Sequence, residues 1–87
     1  MGRPVWDERR GAWAVQLGAF TTVEDANKLG GRLQAAGFAA FVEEVNAEGK
    51  TLWRVRAGPE VDRANAEALR GRIKEKLKVD GLVVTQP

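Results

Sequence analysis

Trp13-Ala14-Val15-Gln16-Leu17-Gly18-Ala19-Phe20 opens on strict alternation. Trp13, Val15 and Leu17 share one side and Ala14 and Gln16 the other, which is the period of a half-buried strand. Gly18 is expected to end that strand. Thr21 stands three residues before Glu24, the spacing of a capping box. A helical stripe follows through Val23, Ala26, Leu29, Leu33 and Ala36, and Gly37 is placed to end it as a left-handed cap. Gly30-Gly31 weakens the middle of this helix by about 1 kcal/mol per glycine relative to alanine, and is expected to let it lie close to a sheet.

Phe38 to Val45 reads as a second strand, with Ala40 and Val42 toward the core and Phe41 and Glu43 away from it. Asn46 to Lys50 has the composition and length of a hairpin turn. Thr51 to Ala57 is the third strand. Trp53, Val55 and Ala57 lie on one side, Leu52, Arg54 and Arg56 on the other, and Gly58-Pro59 is expected to close it. Asp62 is a good N-cap for a second helix, with Val61 expected to staple onto Ala66. Ala66, Leu69, Ile73 and Leu77 form its buried stripe. Arg70, Arg72, Lys74, Lys76 and Lys78 fill its outer faces, the last of them favourably opposing the helix dipole. Asp80-Gly81 turns the chain into a short final strand, Leu82 to Thr85.

A shift of 40 residues lays the chain on itself. Trp13 meets Trp53, Val15 meets Val55, Gly18 meets Gly58, Ala26 meets Ala66, Leu29 meets Leu69, Gly31 meets Gly71, Arg32 meets Arg72 and Leu33 meets Ile73. This is a duplicated strand–helix–strand unit. Two in tandem give an α+β fold, a βαββαβ ferredoxin-like (RNP-like) sandwich whose two helices cover one face of a four-stranded antiparallel or mixed sheet. Right-handed crossovers place the first and third strands side by side at its centre, where they are expected to run parallel. The opposite face stays open and carries Gln16, Arg54 and Arg56, with Ala14 and Leu52 beside them and Phe41 and Glu43 flanking. Such a face is either a binding surface or the ordinary wet side of an antiparallel sheet, and periodicity does not separate the two.

The 87 residues are enough for one small core, with residues 1–11 read as a linker and 12–87 as the domain. Met1-Gly2 before a polar stretch reads as an appended start rather than a natural terminus, which leaves room for an anchor upstream; Trp6 is read as an unattached tail residue. The chain has no cysteine, histidine or serine. That removes thiolate and imidazole metal ligands, a serine or cysteine nucleophile and the usual general base. Glu43 and Glu44 are neighbours on a strand and point to opposite faces, so they do not form a carboxylate pair for glycoside hydrolysis. No glycine-rich phosphate loop occurs and no apolar run approaches the ~20 residues of a membrane span. Neither an enzyme, a cofactor nor a metal is expected. The net charge of +2 does not by itself point to nucleic acid. The RNA recognition motif shares this layout but stacks bases on aromatics of its central strands, where this chain has Ala14, Gln16, Arg54 and Arg56. No nucleic-acid partner is expected.

Val15-Gln16-Leu17-Gly18-Ala19-Phe20 resembles the "VQ(V/L)GSF" opening of SPOR domains. Leu52-Trp53-Arg54-Val55-Arg56-Ala57-Gly58-Pro59 resembles their "YRVRVGP" third strand, and Gly37-Phe38-Ala39-Ala40-Phe41-Val42 their "GY.A.V" segment. The resemblance covers about Ala12 to Thr85, in order and spacing. It implies a non-catalytic module that binds septal peptidoglycan, favouring glycan strands stripped of their stem peptides. It also implies a periplasmic location, as part of an inner-membrane-anchored protein at the division septum. The glycan is expected along the open face. The family's glutamine falls on Gln16 and its third-strand arginine on Arg54, with Arg56, Phe41 and Leu52 as further contacts. Ala19 departs from the family serine, and a hydroxyl contact is expected to be lost there at a cost of about 1 kcal/mol. The domain is expected to be monomeric, with other division proteins as candidate partners. The alternatives are a ferredoxin-like interaction or regulatory domain and, behind it, an RNA-binding module.

Overall fold

The structure, a computed structural model, describes residues 12–86. The expected N-terminal linker with Trp6 lies outside the described residues. The elements follow the order of the repeat: β1 (Trp13–Phe20), α1 (Val23–Ala35), β2 (Ala40–Ala47), β3 (Lys50–Glu60), α2 (Arg63–Leu77) and β4 (Leu82–Thr85). The sheet order is β2-β3-β1-β4. Every neighbouring pair is antiparallel, so the sheet is not mixed and β1 and β3 are not parallel. The reason is one reversal of direction. The crossover through α1 leaves β2 parallel to β1, and the β2–β3 hairpin then turns the chain back, so β3 enters between them against β1. That hairpin is tighter than expected. Its turn is Glu48-Gly49, both with positive φ (52° and 79°), and Ala47 pairs with Lys50.

The duplication is visible in the backbone. The helices begin at Val23 and Arg63, and their N-caps are Thr22 and Asp62, 40 residues apart. The Thr22 hydroxyl accepts from the Asp25 N–H at 3.3 Å and the Asp62 carboxylate from the Asn65 N–H at 2.8 Å. The cap of α1 is thus Thr22 and not Thr21. Two threonines adjoin here, and it is Thr22 that holds the extended backbone a cap requires (φ −125°, ψ 145°). α1 ends as the sequence predicts. The Gly37 N–H donates to Gln34 O (3.0 Å) and the Phe38 N–H to Leu33 O (2.9 Å), the paired bonds of a Schellman motif. Lys76 from α2 donates to Ala36 O at 3.2 Å, satisfying another carbonyl at that end. The expected staple does not form, since Val61 is 65% exposed.

Val15, Leu17, Val55 and Ala57 from the sheet pack against Ala26, Leu33, Leu69 and Ile73 from the helices. Trp53, Val42, Ala40 and Val83 pack around this core as partly buried residues. Gly30 is buried, with Val42 Cγ2 at 3.6 Å from where a Cβ would sit, so α1 does approach the sheet there. Gly31 meets nothing within 4 Å and plays no part in that approach. Trp13 is only half-buried, and the Arg63 guanidinium lies 5.8 Å from its ring centroid at the start of α2.

Neither glycine ends its strand. β1 continues to Phe20 and β3 to Glu60. Gln16 pairs with Arg56 and Gly18 with Val55, which leaves Leu17 as an extra residue in β1. Toward the other end Trp13 pairs with Glu60 and Val15 with Ala57, so β3 carries the extra residue at Gly58-Pro59. Gly58 has φ 123°, a conformation that other residues rarely adopt, and the bond to Pro59 is cis. The two bulges are repeat mates, one on each central strand.

Candidate ligand-binding face

Residues directly opposite in a ladder share a face, so the registers define the open side of the sheet. β2 contributes Phe41, Glu43 and Val45, opposite Arg56, Arg54 and Leu52 of β3. β1 contributes Gln16 opposite Arg56 and Ala19 opposite Arg54. β4 contributes Leu82 opposite Gln16 and Val84 opposite Ala14. The β1 bulge sets this arrangement. Plain alternation would turn Ala19 to the core and Phe20 outward; the extra Leu17 reverses both. Phe20 packs against the core and Ala19 is exposed beside Arg54. The family serine would therefore present its hydroxyl on this face.

All five residues expected from sequence, Gln16, Phe41, Leu52, Arg54 and Arg56, do lie on one face. They are not equally available. Gln16, Phe41, Leu52 and Arg54 are half-buried, whereas Arg56 is 5% exposed. Its donors are already used. Nε and Nη2 both donate to Gln16 Oε1 (3.1 and 3.0 Å), and Nη1 donates to Gln86 Oε1 (2.6 Å). Glu43 Oε1 stands 3.7 Å from the same Nη1. Burial and then the neighbouring Arg54 lower the pKa of this guanidinium, while Glu43 opposes them. A charge so enclosed is tolerable because its donors are met by oxygens. The expectation that Arg56 contacts a ligand directly does not fit this enclosure.

Arg54 is placed otherwise. Its Nη2 donates to Glu43 Oε1 at 2.8 Å, with 31% of the arginine and 35% of the glutamate side chain exposed. Its Nε is buried with no hydrogen-bond partner among the described residues. An unmet donor of this kind costs about 1–3 kcal/mol until an acceptor reaches it. The centre of the face thus carries Arg54, Arg56 and Glu43 around Gln16. Phe41, Val45, Leu52, Leu82 and Val84 frame it with apolar surface, and Leu82 is 64% exposed. The mixture suits a ligand with both polar substituents and apolar ring faces.

Glu43 and Gln86 were not among the site residues read from sequence. Glu43 could have been found, since its strand assignment already set it on the open face flanking the third strand. Gln86 could not, because it follows the last strand and is brought in by its own N–H donating to Ala12 O at 2.7 Å.

Comparison with known proteins agrees with this architecture. The SPOR domain family model matches residues 10–85. Among solved structures, the peptidoglycan binding domain of the B. subtilis cell wall lytic enzyme CwlC is similar with a TM-score of 0.76 and 26% identity, covering 100% of both chains. The RlpA SPOR domain from Pseudomonas aeruginosa gives a TM-score of 0.72 at 24% identity, covering 88% of this chain and 100% of that one. The Spor protein DedD gives 0.68 at 24% identity, covering 97% of this chain but 46% of that one. At 24% identity these two carry the fold alone. The closing run Asp80-Gly81-Leu82-Val83-Val84 resembles that of DedD. No curated protein sequence matches.

Proposed function

The chain belongs to the SPOR domain family, and on that premise we propose that residues 12–87 form a non-catalytic peptidoglycan-binding module, joined to its parent protein through residues 1–11. The ligand is a glycan strand lying along the open face, with preference for strands stripped of stem peptides. The observation that carries this reading is the row Gln16, Arg54 and Glu43 set between apolar residues on a sheet face that no helix among the described residues covers. An amide and a guanidinium match the hydroxyl, acetamido and carboxylate oxygens of such a glycan. Phe41 and Leu52 give its ring faces and acetyl methyls apolar contact. The 26% identical CwlC domain, named for peptidoglycan binding, supports the same ligand class.

The module's role is to bring its parent protein to the division septum from the periplasmic side of the inner membrane. Among the described residues no helix is long and apolar enough to cross a membrane.

The test is co-sedimentation with purified sacculi before and after treatment with an amidase that removes stem peptides. Retention should rise on the treated material, and its absence there refutes the reading. Gln16→Ala and Arg54→Ala should lower retention while leaving cooperative melting intact. Loss of the melting transition would make these residues structural.

A further inference from the structure

We propose that Arg56 is a positioning residue that fixes the side-chain amide of Gln16, so that Gln16 shows the ligand N–H donors and no acceptor. The group seated at the centre of the face is then itself an acceptor, an acetamido carbonyl or a carboxylate oxygen. The inference rests on the proposed glycan reading and adds to it which atoms of the glycan are recognised.

The argument starts from chemistry. A guanidinium has only donors, so the atom of Gln16 that faces Arg56 must be its oxygen. Two donors of Arg56, Nε and Nη2, converge on that one oxygen at 3.1 and 3.0 Å, and together they hold the amide in one orientation. Arg56 is itself immobilised. It is 5% exposed, and its third nitrogen is tied to Gln86 at 2.6 Å. The amide nitrogen of Gln16 is left over. It makes no hydrogen bond among the described residues, where Arg54 Nε alone is buried without a partner. Gln16 itself is half-buried on the open face. On the neighbouring strand, Arg54 Nε is buried and has no partner among the described residues.

The position on the fold explains why the pair is rigid. Gln16 and Arg56 oppose each other at the centre of the β1–β3 ladder, between the two bulges. Neither strand can slide without displacing a bulge.

Gln16→Glu tests this directly. The replacement keeps the shape and still accepts both bonds from Arg56, now with a charge, but removes the outward donor. Melting should stay level or rise. Retention on amidase-treated sacculi should fall about tenfold or more, because an acceptor then faces an acceptor. Retention within about twofold of the parent chain overturns the proposal. Arg56→Met, assayed well below its own melting point, should also weaken binding, because the amide is released to rotate; unchanged affinity there removes the positioning role. The orientation is readable apart from binding. In nitrogen-15 spectra the Arg56 Nε proton should exchange slowly with solvent and the Gln16 amide protons quickly. The reverse order overturns the assignment even if the parent chain binds no glycan, an outcome that would sink only the proposed function. N-acetylglucosamine oligomers, which carry acetamides and no carboxylate, separate the two acceptors. Retention of binding, lost again in Gln16→Glu, assigns the carbonyl. Binding confined to peptide-free peptidoglycan strands, and lost in Gln16→Glu, assigns the carboxylate.

Discussion

Gly81 is the residue whose replacement by alanine should harm this fold most for the smallest chemical change. A Cβ there would lie 2.5 Å from Val15 Cγ1, 2.9 Å from Leu17 Cδ1 and 3.2 Å from Gln16 O. Ordinary contact begins near 3.5 Å, so the first of these is an overlap of about 1 Å. Val15 is 0% exposed and β-branched, so its χ1 is stiff and the packed core around it resists a change of rotamer. The third contact is backbone. Relief must come from the turn moving outward, and that pulls Gly81 O away from the Arg70 Nε that donates to it at 2.7 Å. Overpacking of this kind costs about 1–3 kcal/mol, and the strained bond adds to it. The reduced entropy of the unfolded chain returns less than about 1 kcal/mol. The net loss is about 2 kcal/mol, or roughly 8–16 °C in Tm for a chain of this size. Far-ultraviolet circular dichroism on heating and urea unfolding followed by tryptophan fluorescence both measure it. The same change at Gly71, where nothing lies within 4 Å in the middle of α2, should raise stability by about 0.5–1 kcal/mol. A fall in Tm of less than about 3 °C for Gly81→Ala would show that Val15 and Leu17 do not pack against this turn as described.

Three further outcomes are expected. Gly31→Ala should stabilise about as much as the Gly71 change, since its site is equally empty, and equilibrium urea unfolding would show a higher midpoint at constant slope. Asp62→Ala should cost about 1 kcal/mol by leaving the Asn65 N–H without its cap; a change below a few tenths of a kcal/mol would mean that water replaces the carboxylate without loss. Glu43→Gln should lower stability by less than about 1 kcal/mol, because the pair with Arg54 is about one-third exposed. It should also strengthen retention on amidase-treated sacculi at low salt, by removing the one negative charge among Arg54, Arg56 and Gln16. Retention that does not rise at low salt would mean that acidic groups of the glycan do not reach Arg54.

The alternating runs and the 40-residue repeat carry most of the fold, because strand period and helix stripe are local properties of the chain. The faces of β2 and β3 were legible for the same reason and put Glu43 and Arg54 on one side, but their pairing depends on the tighter Glu48-Gly49 turn. The β1 bulge was not. Period-two alternation gives no sign of an added residue, so Gly18 read as a stop and the outward turn of Ala19 stayed hidden. The direction of β3 does not follow from the crossover alone, because the β2–β3 hairpin reverses the chain after it. The role of Arg56 depends on Gln86, which is distant in sequence and lies beyond the last strand. Its burial is a long-range fact that no local pattern carries.

Gln16 and Arg56 occupy the same place in the two halves of the duplication, and in the folded sheet they are also partners. A tandem copy that folds back on itself brings one pair of counterparts face to face, here close to the local two-fold axis of β1 and β3. The halves differ elsewhere on this face too, with Arg54 standing where the first half has Ala14. An amide on one side and a guanidinium on the other give the surface a direction. A glycan strand has a direction too, from its reducing to its non-reducing end. On the glycan reading proposed above, the differences between the two halves would let the face tell one end of a strand from the other.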